Sequence, residues 1–327
     1  MANNEKTKIT KEHFKRNWHR YAVAAILLVF ALGVFINIGD FSMPDSYCYF
    51  EKSYDAEGTQ VDTAVTLKLT YNKDENGNSV PLNTVFVHSG ILNLPKYTVN
   101  ILRPYNAGDL QWTYARIRFS YGDAPDGTWY DDKLGELKLS PRSGESEYCM
   151  YRWKQAFSGV DLDPRYAYIR ISTKEAVYLN EVVFLDKNNE RIAAEAVSGT
   201  GAAKLLDEPE KFDGKVSASG VFVTDTRLNT IQFDEYYFAT TAFNFLHGEG
   251  AYLESSHPPL GKLIQAVGIA VFGMNTFGMR FMPALVSILV VFLMYFFGKR
   301  LFKGSKVGGV ILCFLFSISG MITGLGV

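Results

Sequence analysis

Phe233-Asp234-Glu235, followed later in the chain by Ser256-His257-Pro258-Pro259-Leu260-Gly261-Lys262, is the stretch on which the reading of this sequence turns. Both motifs stand just ahead of long apolar runs. A carboxylate pair and a His/Lys pair therefore fall where water meets lipid once those runs are placed in a bilayer. From there the chain reads outward as membrane segments on either side and a polar domain between them.

The 327 residues carry a formal net charge of −1 and a mean hydropathy of −0.01, values an ordinary soluble enzyme shows. The average conceals a polar middle between apolar ends, so the chain is read by segment. Residues 1–20 contain Lys6, Lys8, Lys11, Lys15, Arg16 and Arg20, and residues 21–38 carry no charge over a length that crosses a hydrocarbon core. This predicts a basic cytoplasmic N-terminus and a transmembrane helix. A cleaved signal peptide is the rival, but Ile38-Gly39-Asp40-Phe41 offers no small-x-small cleavage site. Residues 281–297 and 307–327 are two further expected spans, joined by a turn bearing Lys299, Arg300, Lys303 and Lys306. With both basic clusters on one side, residues 40–280 are expected outside the cytoplasm. The third span is still apolar at Val327, which predicts the N-terminal part of a longer polytopic protein.

Residues 41–220 have strand character. Ala64–Leu69, Thr84–Val87, Ala115–Phe119, Tyr166–Ser172 and Val177–Leu185 are β-rich runs separated by Gly, Asn, Asp and Pro clusters, which predicts an exocytoplasmic all-β sandwich. The Tyr-x-Arg-Ile run ahead of the Leu-x-Glu-Val run resembles discoidin-like, galactose-binding-like jelly rolls. Asn72 to Gly77 opens like a calcium loop, but the twelfth position is Asn83 where a bidentate Glu is required, so an Asn-Gly hairpin turn is the better reading. Trp112, Trp129 and Trp153 are candidate sugar platforms for a glycan ligand, or core residues. Cys48 and Cys149 share the compartment in which a disulfide persists, and whether they meet is left open. No Asn-x-Ser/Thr acceptor occurs between residues 40 and 280, which favours a bacterial surface over an endoplasmic-reticulum lumen.

Residues 225–280 form an outer loop with two expected interfacial helices. The first runs over 233–246, with Asp234 and Glu235 in its opening turn, where the helix macrodipole alone would favour acids. The second runs over 260–272 after Pro258-Pro259 and is too short to span comfortably. Lys262 either snorkels to headgroups or pairs with a phosphate. His257 either enters the helix or touches a substrate, and Arg280 either anchors its span or grips a lipid phosphate.

Taken together, Phe-Asp-Glu, an aromatic segment, His-Pro-Pro-Leu-Gly-Lys-Leu and Phe277-Gly278-Met279-Arg280 closely resemble the start of the protein O-mannosyltransferase family and its bacterial relatives. The resemblance covers residues 225–327 plus the first helix. It implies a GT-C fold, an α-helical polytopic membrane protein whose first outer loop carries the Asp-Glu pair, here with the β-domain inserted. It also implies inverting transfer of a hexose from a polyprenyl-phosphate sugar to a hydroxyl acceptor, protein or cell-surface polymer, outside the bacterial plasma membrane. Asp234 would be the base, Glu235 would orient the acceptor, His257 would line the site, and Lys262 and Arg280 would balance the departing phosphate. No metal or other cofactor is implied, and no His/Cys cluster has ligand spacing. No nucleic-acid partner is expected. The family commonly places His two residues after the Glu, where this chain has Tyr237. The alternative from another class is a membrane-anchored carbohydrate-binding module without catalysis. A transporter has little support, because the expected spans hold no buried charge along a path.

Overall fold

The computed structural model describes residues 2–89, 115–139, 152–212, 228, 235–248 and 257–319. Five α-helices and twelve strands lie in them. The helices are α1 (Ala2–Ile36), α2 (Glu235–Leu246), α3 (Pro259–Phe272), α4 (Thr276–Leu301) and α5 (Lys306–Ser317). Two stretches, Glu12–Ile36 of α1 and the whole of α4, are long and apolar enough to cross a membrane.

Local chemistry explains where the helices begin and end. Pro259 opens α3 because a proline needs no N–H partner in the first turn, and Gly273, at φ 86°, closes it. Asn275 caps α4 by accepting the Gly278 N–H at 2.8 Å, and Ser305 caps α5 in the same way at 3.1 Å. Pro283 lies inside α4 and cannot donate to the Met279 carbonyl four residues back. The Gln265 side chain of α3 donates to that carbonyl at 2.9 Å, so one helix repairs the gap that proline leaves in the other. α3 and α4 approach closely here, since a Cβ on Gly268 would lie 2.4 Å from the Gly278 carbonyl oxygen. The helices are inverted relative to soluble ones. Leu28, Val29, Leu32, Leu263, Val267, Leu289 and Phe296 face outward, while Lys262, Gln265 and Arg280 are buried.

The strands are β1 (Cys48–Phe50), β2 (Ser53–Tyr54), β3 (Gln60–Val61), β4 (Thr63–Thr70), β5 (Leu82–Ser89), β6 (Ala115–Gly122), β7 (Tyr130–Leu139), β8 (Arg152–Phe157), β9 (Tyr168–Thr173), β10 (Val177–Leu179), β11 (Glu181–Asp186) and β12 (Arg191–Ser198). The all-β domain is present. Antiparallel pairing links eight strands in the order β7-β6-β9-β4-β12-β11-β5-β8, with β12 meeting β11 at Arg191 and Ile192 and β4 from Ala193 to Ser198. Register shifts at Phe119/Tyr121, Val85/Phe86, Leu185/Asp186 and Ala196/Ser198 bend the sheet. It curls until Phe119 of β6 meets Phe157 of β8, with ring centroids 5.3 Å apart. Two-stranded pairs, β1 with β10 and β2 with β3, flank it. The run Val177–Leu185 divides at Asn180, whose N–H donates to the His88 carbonyl.

The curled sheet encloses Leu67, Leu82, Ile117, Phe119, Leu162, Ile169 and Phe184 in one core. Each such side chain contributes about 1.5–3 kcal/mol by leaving water. β11 is buried on both faces. Val182 and Phe184 enter the sheet's own core, while Val183 and Leu185 join Phe86, Trp153 and Phe212 against Ala239, Ala242, Phe243, Ala266, Ile269 and Met279 of the helices. The β-domain is thus packed onto α2, α3 and α4. A polar strap reinforces the join. The Glu208 carboxylate accepts the N–H groups of Asp45 and Ser46 at 2.9 and 3.1 Å and pairs with Lys211, and Asp45 in turn accepts from Asn275 of α4 at 3.1 Å.

The turn at Asn76-Gly77 is a tight hairpin. Asp74 accepts the N–H groups of Asn76 and Asn78 at 2.9 and 2.8 Å, and Gly77 takes φ 82°. These bonds, led by Asn78, hold the Asp74 carboxyl below its usual range. Trp153 is in the core facing the helices and offers no sugar platform, and Trp129 is partly covered by the Arg170 guanidinium. Trp112 and Cys149 lie outside the described residues, whereas Cys48 is buried, its thiol 3.5 Å from the Thr200 carbonyl oxygen.

Glu181, His88 and Trp153 form a cross-strand row on β11, β5 and β8, all buried on the helix-facing side. Burial pushes the Glu181 carboxyl up to about 9, with Asp207 adding to the rise and the N–H donated by Glu208 opposing it. Burial also holds His88 neutral, pulled down to about 3. Glu181 is therefore protonated when folded at pH 7 and ionised when unfolded. Its stabilising contribution is complete below its ordinary value near 4.5 and disappears as pH rises through about 9. Glu181→Gln is expected to flatten the pH dependence of thermal stability across that window. It should raise stability at pH 7 by up to about 3 kcal/mol, the equivalent of the interval from 4.5 to 7 at ~1.4 kcal/mol per pH unit. Unfolding curves of the two proteins that stay parallel from pH 5 to 9 would contradict this.

Candidate functional site

The start of α2, the start of α4 and the residues just past α1 converge at one point. Arg280 is only 5% exposed. Its Nε donates to Glu235 Oε1 at 2.7 Å and one Nη to Oε2 at 2.8 Å, a two-bonded fork, while the other Nη reaches the Ile38 carbonyl at 3.3 Å. Beside it, Thr276 Oγ1 donates to the Leu228 carbonyl at 2.6 Å, and the Asp40 N–H donates to the same carbonyl at 3.1 Å. One arginine and one threonine near the N-terminus of α4 therefore fix where the polypeptide leaves α1 and where α2 begins.

One turn along α2 from Glu235 is Phe238, on the same helix face. The His257 ring meets its edge at 5.1 Å, and the Lys262 ammonium lies 5.9 Å from its centroid. Lys262 is 3% exposed and donates to the His257 carbonyl at 3.3 Å. It points inward, toward α2, rather than outward to the headgroups. Glu235, His257, Lys262 and Arg280 are thus gathered along one face of α2, an acid with its arginine at one end and a lysine with a histidine at the other. Asp234 immediately precedes Glu235 in sequence and lies outside the described residues.

Two of these side chains have partners that the sequence did not name. The Arg280 fork, expected at a lipid phosphate or as an anchor, engages the Glu235 carboxylate. The Glu235 carboxylate, in turn, is oriented by an ion pair and not by the macrodipole alone. Sequence reasoning gave no role to Phe238 or Gln265 and did not name Asn275 or Thr276. Asn275 had a legible signal, a capping residue three positions ahead of Gly278 at the start of an apolar run. Gln265 and Thr276 had none, because their partners are carbonyls on other segments. Among the described residues, no group of three or more His, Cys, Asp or Glu side chains gathers as metal ligands would.

Comparison with known proteins points to the same region. Residues 256–327 match the family model described as dolichyl-phosphate-mannose-protein mannosyltransferase. A polyprenol-phosphate-mannose–protein mannosyltransferase of Mycobacterium tuberculosis (strain H37Rv) is 36% identical over 90 residues, 26% of this chain and 17% of the relative. Its counterpart from Mycolicibacterium smegmatis (strain ATCC 700084) is 33% identical over the same extent. The chain spans 17% of the length of these curated relatives. No solved structure matches. The family match begins at Ser256, the first residue of the His-Pro-Pro motif, so the part of the chain that carries His257, Lys262 and Arg280 is the part similar to protein mannosyltransferases.

Proposed function

We propose that this chain belongs to a membrane glycosyltransferase. In this reading it moves a mannose-like hexose from a polyprenyl-phosphate sugar to a hydroxyl of a protein or surface polymer on the outer face of a bacterial plasma membrane, with inversion. The observation that carries the reading is the Glu235–Arg280 fork, which joins the Asp-Glu motif to the segment similar to the mannosyltransferases.

Inversion in one displacement needs a base on the acceptor side and positive charge or donors on the phosphate side. Asp234 is assigned as the carboxylate that takes the acceptor proton. Glu235, oriented by Arg280, positions the acceptor hydroxyl. Lys262, with His257 beside it, supplies charge and a polar edge toward the donor phosphate. Arg280 acts as a positioning residue, because at least two of its donors serve Glu235. The apolar outward faces of α3 and α4 suit a lipid carrier approaching from the bilayer.

The test is transfer itself. Membranes carrying the protein from its complete reading frame are supplied with radiolabelled polyprenyl-phosphate mannose and a hydroxyl-bearing protein or polymer. Incorporation into the acceptor with inverted anomeric configuration is expected. Absence of incorporation from mannosyl and glucosyl donors alike, with the β-domain binding glycans on an array, would replace this reading with the binding-module alternative.

A further inference from the structure

At the opposite end of the helices from the Asp-Glu motif, α1, α4 and α5 meet around a histidine. His19 of α1 stacks on Tyr295 of α4 with centroids 6.2 Å apart and planes 15° from parallel, and the Trp18 ring meets its edge at 6.2 Å. The residue is 7% exposed, and its Nδ1 is buried without a hydrogen-bond partner. A buried ring nitrogen lacking a partner costs free energy until one arrives.

The surroundings of that ring are cationic. Lys306, Arg20 and Lys299 all exert their charge on it, and Arg300 and Lys303 stand on the same short turn. Among the described residues none of these five pairs with a carboxylate, and the sequence holds no Asp or Glu from 13 to 39 or from 255 to 327. Lys306 lies in the first turn of α5, where the positive end of the macrodipole disfavours a cation. Lys303 and Gly304 take left-handed φ values of 51° and 90° and turn the chain sharply between the two helices. Like charges are therefore concentrated here with no carboxylate paired to them among the described residues. An anion relieves the repulsion among the cations and can accept from His19 in the tautomer protonated at Nδ1.

We infer that this junction binds the phosphate of an anionic phospholipid, of the phosphatidylglycerol type, in the leaflet that faces the basic turn. A lipid is assigned, and not a soluble anion, because Leu301, Phe302 and Val307 on the same turn are exposed and apolar, offering contact to acyl chains beside the cationic group. The inference rests on the reading of α1, α4 and α5 as membrane helices and is independent of the transferase reaction.

The experiment has two stages on the 327-residue chain. Flotation with phosphatidylcholine vesicles containing phosphatidylglycerol tests insertion. Native mass spectrometry from micelles with equimolar phosphatidylglycerol and phosphatidylcholine then tests selectivity. The chain is expected to float and to retain phosphatidylglycerol over phosphatidylcholine by about tenfold or more, a preference that the exposed-site variant Lys303→Gln/Lys306→Gln reduces severalfold and His19→Phe lowers further. A chain that fails to float overturns the membrane reading and this inference together. A chain that floats but retains both lipids equally, or whose preference survives the lysine substitutions, overturns the inference alone. Displacement of phosphatidylglycerol by millimolar inorganic phosphate would identify a soluble-anion site and overturn the lipid assignment.

Discussion

Asp234→Asn, in protein expressed from its complete reading frame, is expected to lower kcat for sugar transfer by about 10²–10⁴-fold, the contribution of one positioned general base. The amide keeps the shape and much of the hydrogen bonding of the acid but cannot take the acceptor proton. KM for the donor should change little, because the base acts on the acceptor. Expression and thermal stability should also be close to wild type, so that the loss is kinetic. The neighbouring Glu235→Gln variant separates the two acids. It keeps one oxygen facing Arg280 but loses the charge of the pair, so its defect should appear in acceptor KM as well as kcat. Turnover of Asp234→Asn within a few-fold of wild type would remove the assignment of the base. The same measurement would leave the family resemblance in place, since that rests on residues 256–327.

Arg280→Gln is the second large effect, and it should be felt in both stability and activity. Breaking a buried ion pair by removing one partner costs about 3–5 kcal/mol, because the remaining charge is stranded. The Glu235 side chain is 28% exposed, which lets water screen part of that cost, so about 2–3 kcal/mol is expected here. The variant also loses the donor to the Ile38 carbonyl, which loosens the exit from α1 against the start of α2. Arg280→Lys retains the charge but presents a point donor in place of a planar fork, and it should fall between the two. The decisive comparison is Glu235→Gln/Arg280→Gln. Removing both charges should recover most of the thermal stability in detergent while transfer stays low, as expected of a pair whose geometry serves the reaction. If the double variant recovers transfer as well, the pair is structural only.

Several helix ends were open to sequence reading because they follow local rules, but the first helix, expected from residue 21, already begins at Ala2 and ends at Ile36, and within the expected span 307–327 the described helix is the short Lys306–Ser317. Pro258-Pro259 ahead of an apolar run, the charge-free stretch after Arg20 and the basic turn at Lys299 to Lys306 are signals contained within a few residues. The strand runs around Val65, Val85, Ile117 and Ile171 were readable for the same reason. Their arrangement was not. Which strands pair, and in what order, depends on bulges and on which faces meet, such as Phe119 with Phe157, and these are relations between residues distant in the chain. The double burial of β11 had a partial signal in Val182-Val183-Phe184-Leu185, an unbroken apolar run that alternation does not explain. What covers its second face could not be read from it.

By itself, the sequence determined the membrane character of the ends, the all-β middle, and the identities of Asp234, Glu235, His257, Lys262 and Arg280 as the residues to watch, because hydropathy, periodicity and motif spacing are local quantities. Only the tertiary structure decided that Arg280 grips Glu235, that Lys262 turns inward to Phe238, that Gln265 satisfies the carbonyl freed by Pro283, and that the β-domain is packed and strapped onto the helices. The physical reason is that hydrogen bonds and ion pairs of this kind join groups separated by many residues. Their partners are selected when burial removes water as the competing donor and acceptor, and that selection takes place only in the folded chain.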